Sequence, residues 1–165
     1  MVIGEISVVT RHKREKIGNF LLPNARTYIV AGDSAEARIF LTQRRFGPWT
    51  EVATLSNPDA RMRERDRITD RPGRAFDSFG KGRHAMTQEE SARQHDIRLF
   101  AHDVGGYLNK ALTAGDFSYL VLIAEPTFLG FLRRELSPAS SKSILGDFPI
   151  NPTDYDVAKL TSLFT

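Results

Sequence analysis

The residue types most able to do chemistry in this chain lie between positions 61 and 83. Eight arginines and lysines stand there against four acids, a local excess of four positive charges in a chain whose formal net charge is only +3. Arginine offers planar, paired N–H donors that match phosphate oxygens. Glycine lets backbone N–H groups come close to an anion. Arg71, Gly73, Arg74, Lys81, Gly82, Arg83 and His84 are therefore the candidate RNA- or anion-binding residues. Phe76 and Phe79 either stack on bases or anchor the segment on the body. The competing reading is a solvated stretch whose arginines pair with neighbouring acids such as Asp66 and Asp70.

Other reactive side chains form weaker patterns. His95 and His102 are seven apart, two helical turns and about 10 Å in rise, too far for a shared metal without other ligands. Asp33, Asp96, Asp103 and Glu125 are the acids that a metal-dependent nuclease would have to bring together. Acids at strand ends also serve as turn and cap residues. No catalytic residue, metal ligand set or cofactor is assigned. There is no cysteine, so disulfides and thiolate metal sites are excluded.

These residues need a scaffold, and 165 residues with 41% hydrophobic content are enough for one full-sized domain. Residues 1–20 read as an N-terminal extension: the basic cluster from Arg11 to Lys16 follows the apolar part, the reverse of a secretory signal. Residues 21–165 read as a single α/β domain. No apolar run reaches the length of a membrane span, and the expected compartment is the cytoplasm.

Stretches 26–32, 36–42 and 49–55 are rich in β-branched and aromatic residues and are linked by short turns, which predicts an antiparallel three-strand meander. A long polar loop over 57–86 follows. The capping-box sequence from Thr87 to Glu90 then predicts a helix over about 87–113, with Ile97, Ala101, Val104, Leu108 and Ala111 on its apolar face. Gly105 and Gly106 imply a close helix–sheet approach or a kink. Residues 117–124 are nearly all apolar, as in a strand buried on both faces. A helix from Pro126, a connection with room for one helical turn, an edge strand over 144–150 and a last helix complete the order, with Val157, Leu160 and Leu163 facing inward. The predicted fold class is α/β: a mixed five-stranded sheet, the meander followed by α-β-α-β-α, with helices packed on it in a ribonuclease-H-like arrangement.

Several segments carry a family resemblance: LPNARTYIVAGDSAEARIF, the Asp70-Arg71-Pro72-Gly73-Arg74 run, the stretch from Phe76 to His84, RLFAHDVGGYLNKAL, and Phe128-Leu129-Gly130-x-Leu132-Arg133. They resemble the bacterial host-attachment protein family, over residues 21–164. That family is considered a branch related to the middle domain of archaeal and eukaryotic peptide-chain release factors. The resemblance implies a domain whose segment between the third strand and the long helix works at the ribosome. This chain lacks the Gly-Gly-Gln tip of those factors; Gly80-Lys81-Gly82-Arg83-His84 stands nearest to it. Glu125-Pro126-Thr127 replaces a Pro-Pro-Arg type turn. The expectation is therefore RNA or ribosome binding through the basic segment, without release-factor catalysis. The alternatives are a metal-dependent nuclease and an adhesion or interaction protein.

Overall fold

A computed structural model describes residues 20–69 and 82–164. Three strands come first: β1 (Thr27–Gly32), β2 (Glu36–Thr42) and β3 (Thr50–Ser56). Helix α1 (Pro58–Thr69) and the 32-residue α2 (Gly82–Thr113) follow. Then come β4 (Tyr119–Ala124), α3 (Pro126–Glu135), α4 (Pro138–Lys142), β5 (Ile144–Phe148) and α5 (Val157–Ser162). The strands form one open sheet in the order β3-β2-β1-β4-β5. β1 runs antiparallel to β2, with Val30 opposite Ile39, and parallel to β4, with Val30 opposite Leu122. β5 is the parallel edge strand beyond β4. The meander, the parallel return of the fourth strand and the edge position of the fifth all agree with the sequence.

The sheet divides two apolar layers, and strand sequence explains which residues enter each. β1 is buried along its whole length, because both of its faces are covered. One face, with Val30, Ile39 and Leu122, packs against Ile97, Phe100, Val104 and Leu108 of α2 and Phe128, Leu129 and Leu132 of α3. The other face, with Ile29, Phe40, Val121 and Ile123, is covered by Leu160, Phe164 and Leu22. Phe20 adds edge-on ring contacts to Phe148 and Phe164, at centroid distances of 5.3 and 5.9 Å.

Four expectations need correction. The stretch 57–86 is not one long loop: helix occupies residues 58–69, and the long helix begins at Gly82, not Thr87. Asn57-Pro58-Asp59 is a helix start, with proline at the first helical position and an acid in the first turn. The sequence that follows carries no apolar stripe, so no helical period announces this helix. Thr87 lies inside α2, because Arg83, Ala85 and Met86 extend an existing helix at low cost. The glycine pair marks a helix–helix approach instead of a helix–sheet one. A Cβ on Gly105 would lie 2.7 Å from Glu135 Cβ at the end of α3, whereas one on Gly106 would meet nothing within 4 Å. Finally, Val157 is exposed; in α5 only Leu160 is buried.

Candidate nucleic-acid interface

The third strand leads directly into α1, and the junction is held by backbone chemistry. Asn57 is buried; its N–H donates to the Ala35 carbonyl at 2.7 Å and its Nδ2 donates to the Ser34 carbonyl at 3.1 Å. The β1–β2 turn that receives it is itself closed. Asp33 Oδ1 accepts from the N–H groups of Ala35 and Glu36 at 2.7 and 2.9 Å. The root of α1 is thus fixed to the C-terminal end of β1.

From that root two helices form an exposed arm. α1 spans about 18 Å and α2 about 48 Å. The first buried side chain of α2 among the described residues is Ile97, and every residue from Met86 to His95 is exposed. Only the C-terminal half of α2 therefore rests on the sheet. On α1, Arg61, Met62, Arg63 and Arg65 are exposed. An amphipathic helix of the body would show an apolar stripe; neither α1 nor the first half of α2 has one.

Two ion pairs tie the arm to the body. Arg61 Nη2 contacts Glu36 Oε2 of β2, and Arg63 Nη1 contacts Asp96 Oδ2, just before α2 reaches the sheet. Sequence reasoning counted these arginines as free charge or paired them with neighbouring acids such as Asp66 and Asp70; the fold pairs them with Glu36 and Asp96 instead. Both partners are distant in sequence, and only the fold reveals them.

The candidate residues divide as follows. Gly82, Arg83 and His84 form the start of α2; the side chains of Arg83 and His84 lie outside the described residues. Arg71, Gly73, Arg74, Phe76, Phe79 and Lys81 also lie outside them. What the fold does place is the attachment of this segment: it joins α1 to α2, between the two halves of the arm.

The acids named for nuclease chemistry are spread over separate tasks. Asp33 closes the turn and accepts from Thr153 Oγ1 at 2.5 Å. Glu125 caps α3, each carboxylate oxygen 3.0 Å from a backbone N–H, those of Thr127 and Phe128. Asp96 faces Arg63, and Asp103 is exposed on α2. Among the described residues, no three of His, Cys, Asp and Glu are grouped to hold a metal ion. His102 Nδ1 lies 2.8 Å from Glu135 Oε2 and bridges α2 to α3; His95 is exposed.

A small cleft of about 160 Å³ opens beside the root of the arm, lined by Gly32, Asp33, Glu36, Arg38, Arg61 and Thr153 among others. Its two acids balance its two arginines. Arg38 already donates to the Tyr155 carbonyl, and Arg61 already faces Glu36. The cleft is thus a closed charge network and not an open anion cradle.

No described helix is long and apolar enough to cross a membrane. The family model described as "Protein required for attachment to host cells" matches residues 28–163. A search among curated proteins finds no match.

Proposed function

The chain belongs to the family of proteins required for attachment to host cells, and we propose that within it the two-helix arm binds RNA, as rRNA on the ribosome or as tRNA, without itself catalysing a reaction. The observation that carries this reading is the arm itself. A polar, exposed pair of helices, rooted firmly on the sheet, flanks the segment with the chain's excess positive charge. A helix with no apolar face adds nothing to the core, so its length calls for another use. Arginine-rich surfaces of this kind meet phosphate through paired donors and long-range attraction.

Two further points support the reading. The strand order β3-β2-β1-β4-β5, with the arm inserted between β3 and β4, is compatible with a release-factor-like middle domain, in which the same interval carries the working tip. The lack of a Gly-Gly-Gln sequence separates binding from peptidyl-tRNA hydrolysis. In this proposal the protein acts in the cytoplasm, and attachment to host cells is a downstream effect.

The test compares the intact chain with one in which Arg71, Arg74 and Arg83 are changed to Glu. Each chain is used to recover RNA from lysate at low and moderate salt. The intact chain should retain rRNA or tRNA and lose it steeply as salt rises, while the variant retains little at any salt. Equal and negligible recovery by both would refute the proposal. Recovery of the protein from the cell surface, with no RNA bound, would favour direct adhesion, the reading closest to the family's description.

A further inference from the structure

We propose that Glu36 and Asp96 are specificity-determining residues of the arm: they hold Arg61 and Arg63 in internal ion pairs that the linked phosphates of a polyanion displace and isolated anions do not. The inference rests on the reading of the arm as an RNA-binding element, and it adds a property that reading does not contain.

The geometry carries it through an asymmetry. In both pairs the acid is the more buried partner. The Arg61 and Glu36 side chains are 54% and 33% exposed, and those of Arg63 and Asp96 are 49% and 23% exposed. The acids belong to the body, one on β2 and one where α2 begins its contact with the sheet. The guanidinium groups ride on α1 and face solvent. When a competing anion arrives, the arginines can leave and the carboxylates stay.

The two pairs differ in what departure leaves behind. Asp96 Oδ2 is shut off from solvent, and no donor is aligned on it as a hydrogen bond; the Arg63 charge beside it is its compensation. Removing Arg63 leaves that shielded oxygen without its compensating charge, an unfavourable state even though the side chain as a whole is part-exposed. Glu36 is more accessible, and water can replace Arg61 there. A single phosphate ion gains one contact and must offset the loss of one pair. A nucleic-acid backbone carries many linked phosphates, so one polyanion can meet Arg61 and Arg63 on the different sides of α1 that positions two apart occupy. The long-range attraction of the chain's excess positive charge adds to the exchange. The internal acids therefore lower affinity for every anion and weigh most against small ones.

Neutralising the acids should accordingly tighten RNA binding. The measurement is fluorescence anisotropy of a labelled 20-nucleotide RNA with full-length wild type, Glu36→Gln, Asp96→Asn and Asp116→Asn. Inorganic phosphate is the competitor. Asp116→Asn makes the same net charge change next to β4, far along the sheet from the arm, and serves as the charge control. Exposed ion pairs couple weakly, so Glu36→Gln should tighten binding about twofold and Asp96→Asn up to about fivefold, both beyond the control. Phosphate should compete with RNA at lower concentration in both arm variants than in wild type. If wild type binds RNA but neither arm variant exceeds Asp116→Asn, the inference is overturned and the RNA reading stands. If no chain binds RNA, the RNA reading falls and the inference falls with it. Glu36→Gln keeps the test open should Asp96→Asn disturb the fold.

Discussion

Tyr28 shows how a single residue reports on the core. Its ring stacks on Phe117 at 4.5 Å, and its phenol pKa is pushed up to about 12, first by burial and then by neighbouring Tyr107 and Asp116. A raised folded pKa means that the fold prefers the protonated phenol. The associated stability is fully present below pH 10, the ordinary phenol value, and is lost as pH rises towards 12. Two pKa units correspond to at most roughly 2–3 kcal/mol. Denaturant unfolding between pH 9 and 12 should therefore show a decline that is shallower in Tyr28→Phe. Gly105 and Gly106 make a second residue-scale comparison. Both sit in a helix interior, where alanine is favoured by about 1 kcal/mol. Gly106→Ala should raise stability by up to that amount, because its Cβ meets open space. Gly105→Ala should lower it, since Glu135 Cβ and the Glu135 carbonyl crowd the same position at 2.7 and 3.1 Å. Urea midpoints of the two variants should move in opposite directions.

At the scale of elements, the exposed half of α2 should be dispensable for folding and the packed half should not. Ala92→Pro breaks a helix where no side chain is buried, whereas Leu108→Ala opens a cavity in the core. A core leucine truncation costs about 2–5 kcal/mol. Thermal unfolding should place Ala92→Pro well above Leu108→Ala, while RNA retention should fall in Ala92→Pro and persist in Leu108→Ala below its melting temperature. The same division explains what was legible in the sequence. Strands and packed helices announce themselves by period, and Ile97, Val104 and Leu108 placed the C-terminal half of α2 correctly. α1 has only scattered apolar residues, Ala60, Met62 and Ile68, which form no stripe, so periodicity was silent, and the local start signal at Asn57-Pro58-Asp59 was the available cue. The Glu36–Arg61 and Asp96–Arg63 pairs join positions 25 and 33 residues apart. No local pattern encodes such contacts; they follow from the β2–β3 pairing and the seating of α2.

For the whole molecule, the sheet acts as a platform with unequal ends. At the C-terminal end of β1 the closed turn, Asn57 and two ion pairs fix the arm. At the opposite end the β2–β3 turn exposes Arg44, Arg45 and Phe46, and Arg45 is tied back to the Leu22 carbonyl at 2.9 Å. Both ends carry exposed arginines, so overall charge does not distinguish them as the end that would meet RNA under the proposal. The arm is the proposed RNA-binding end because, among the described residues, it combines charge density with reach beyond the packed core. Ultraviolet crosslinking in cells, followed by mass-spectrometric mapping of the RNA-linked peptides, discriminates between the ends directly. Crosslinks should fall within residues 58–95. Their absence, or their concentration at Arg44 to Phe46, would contradict the central claim.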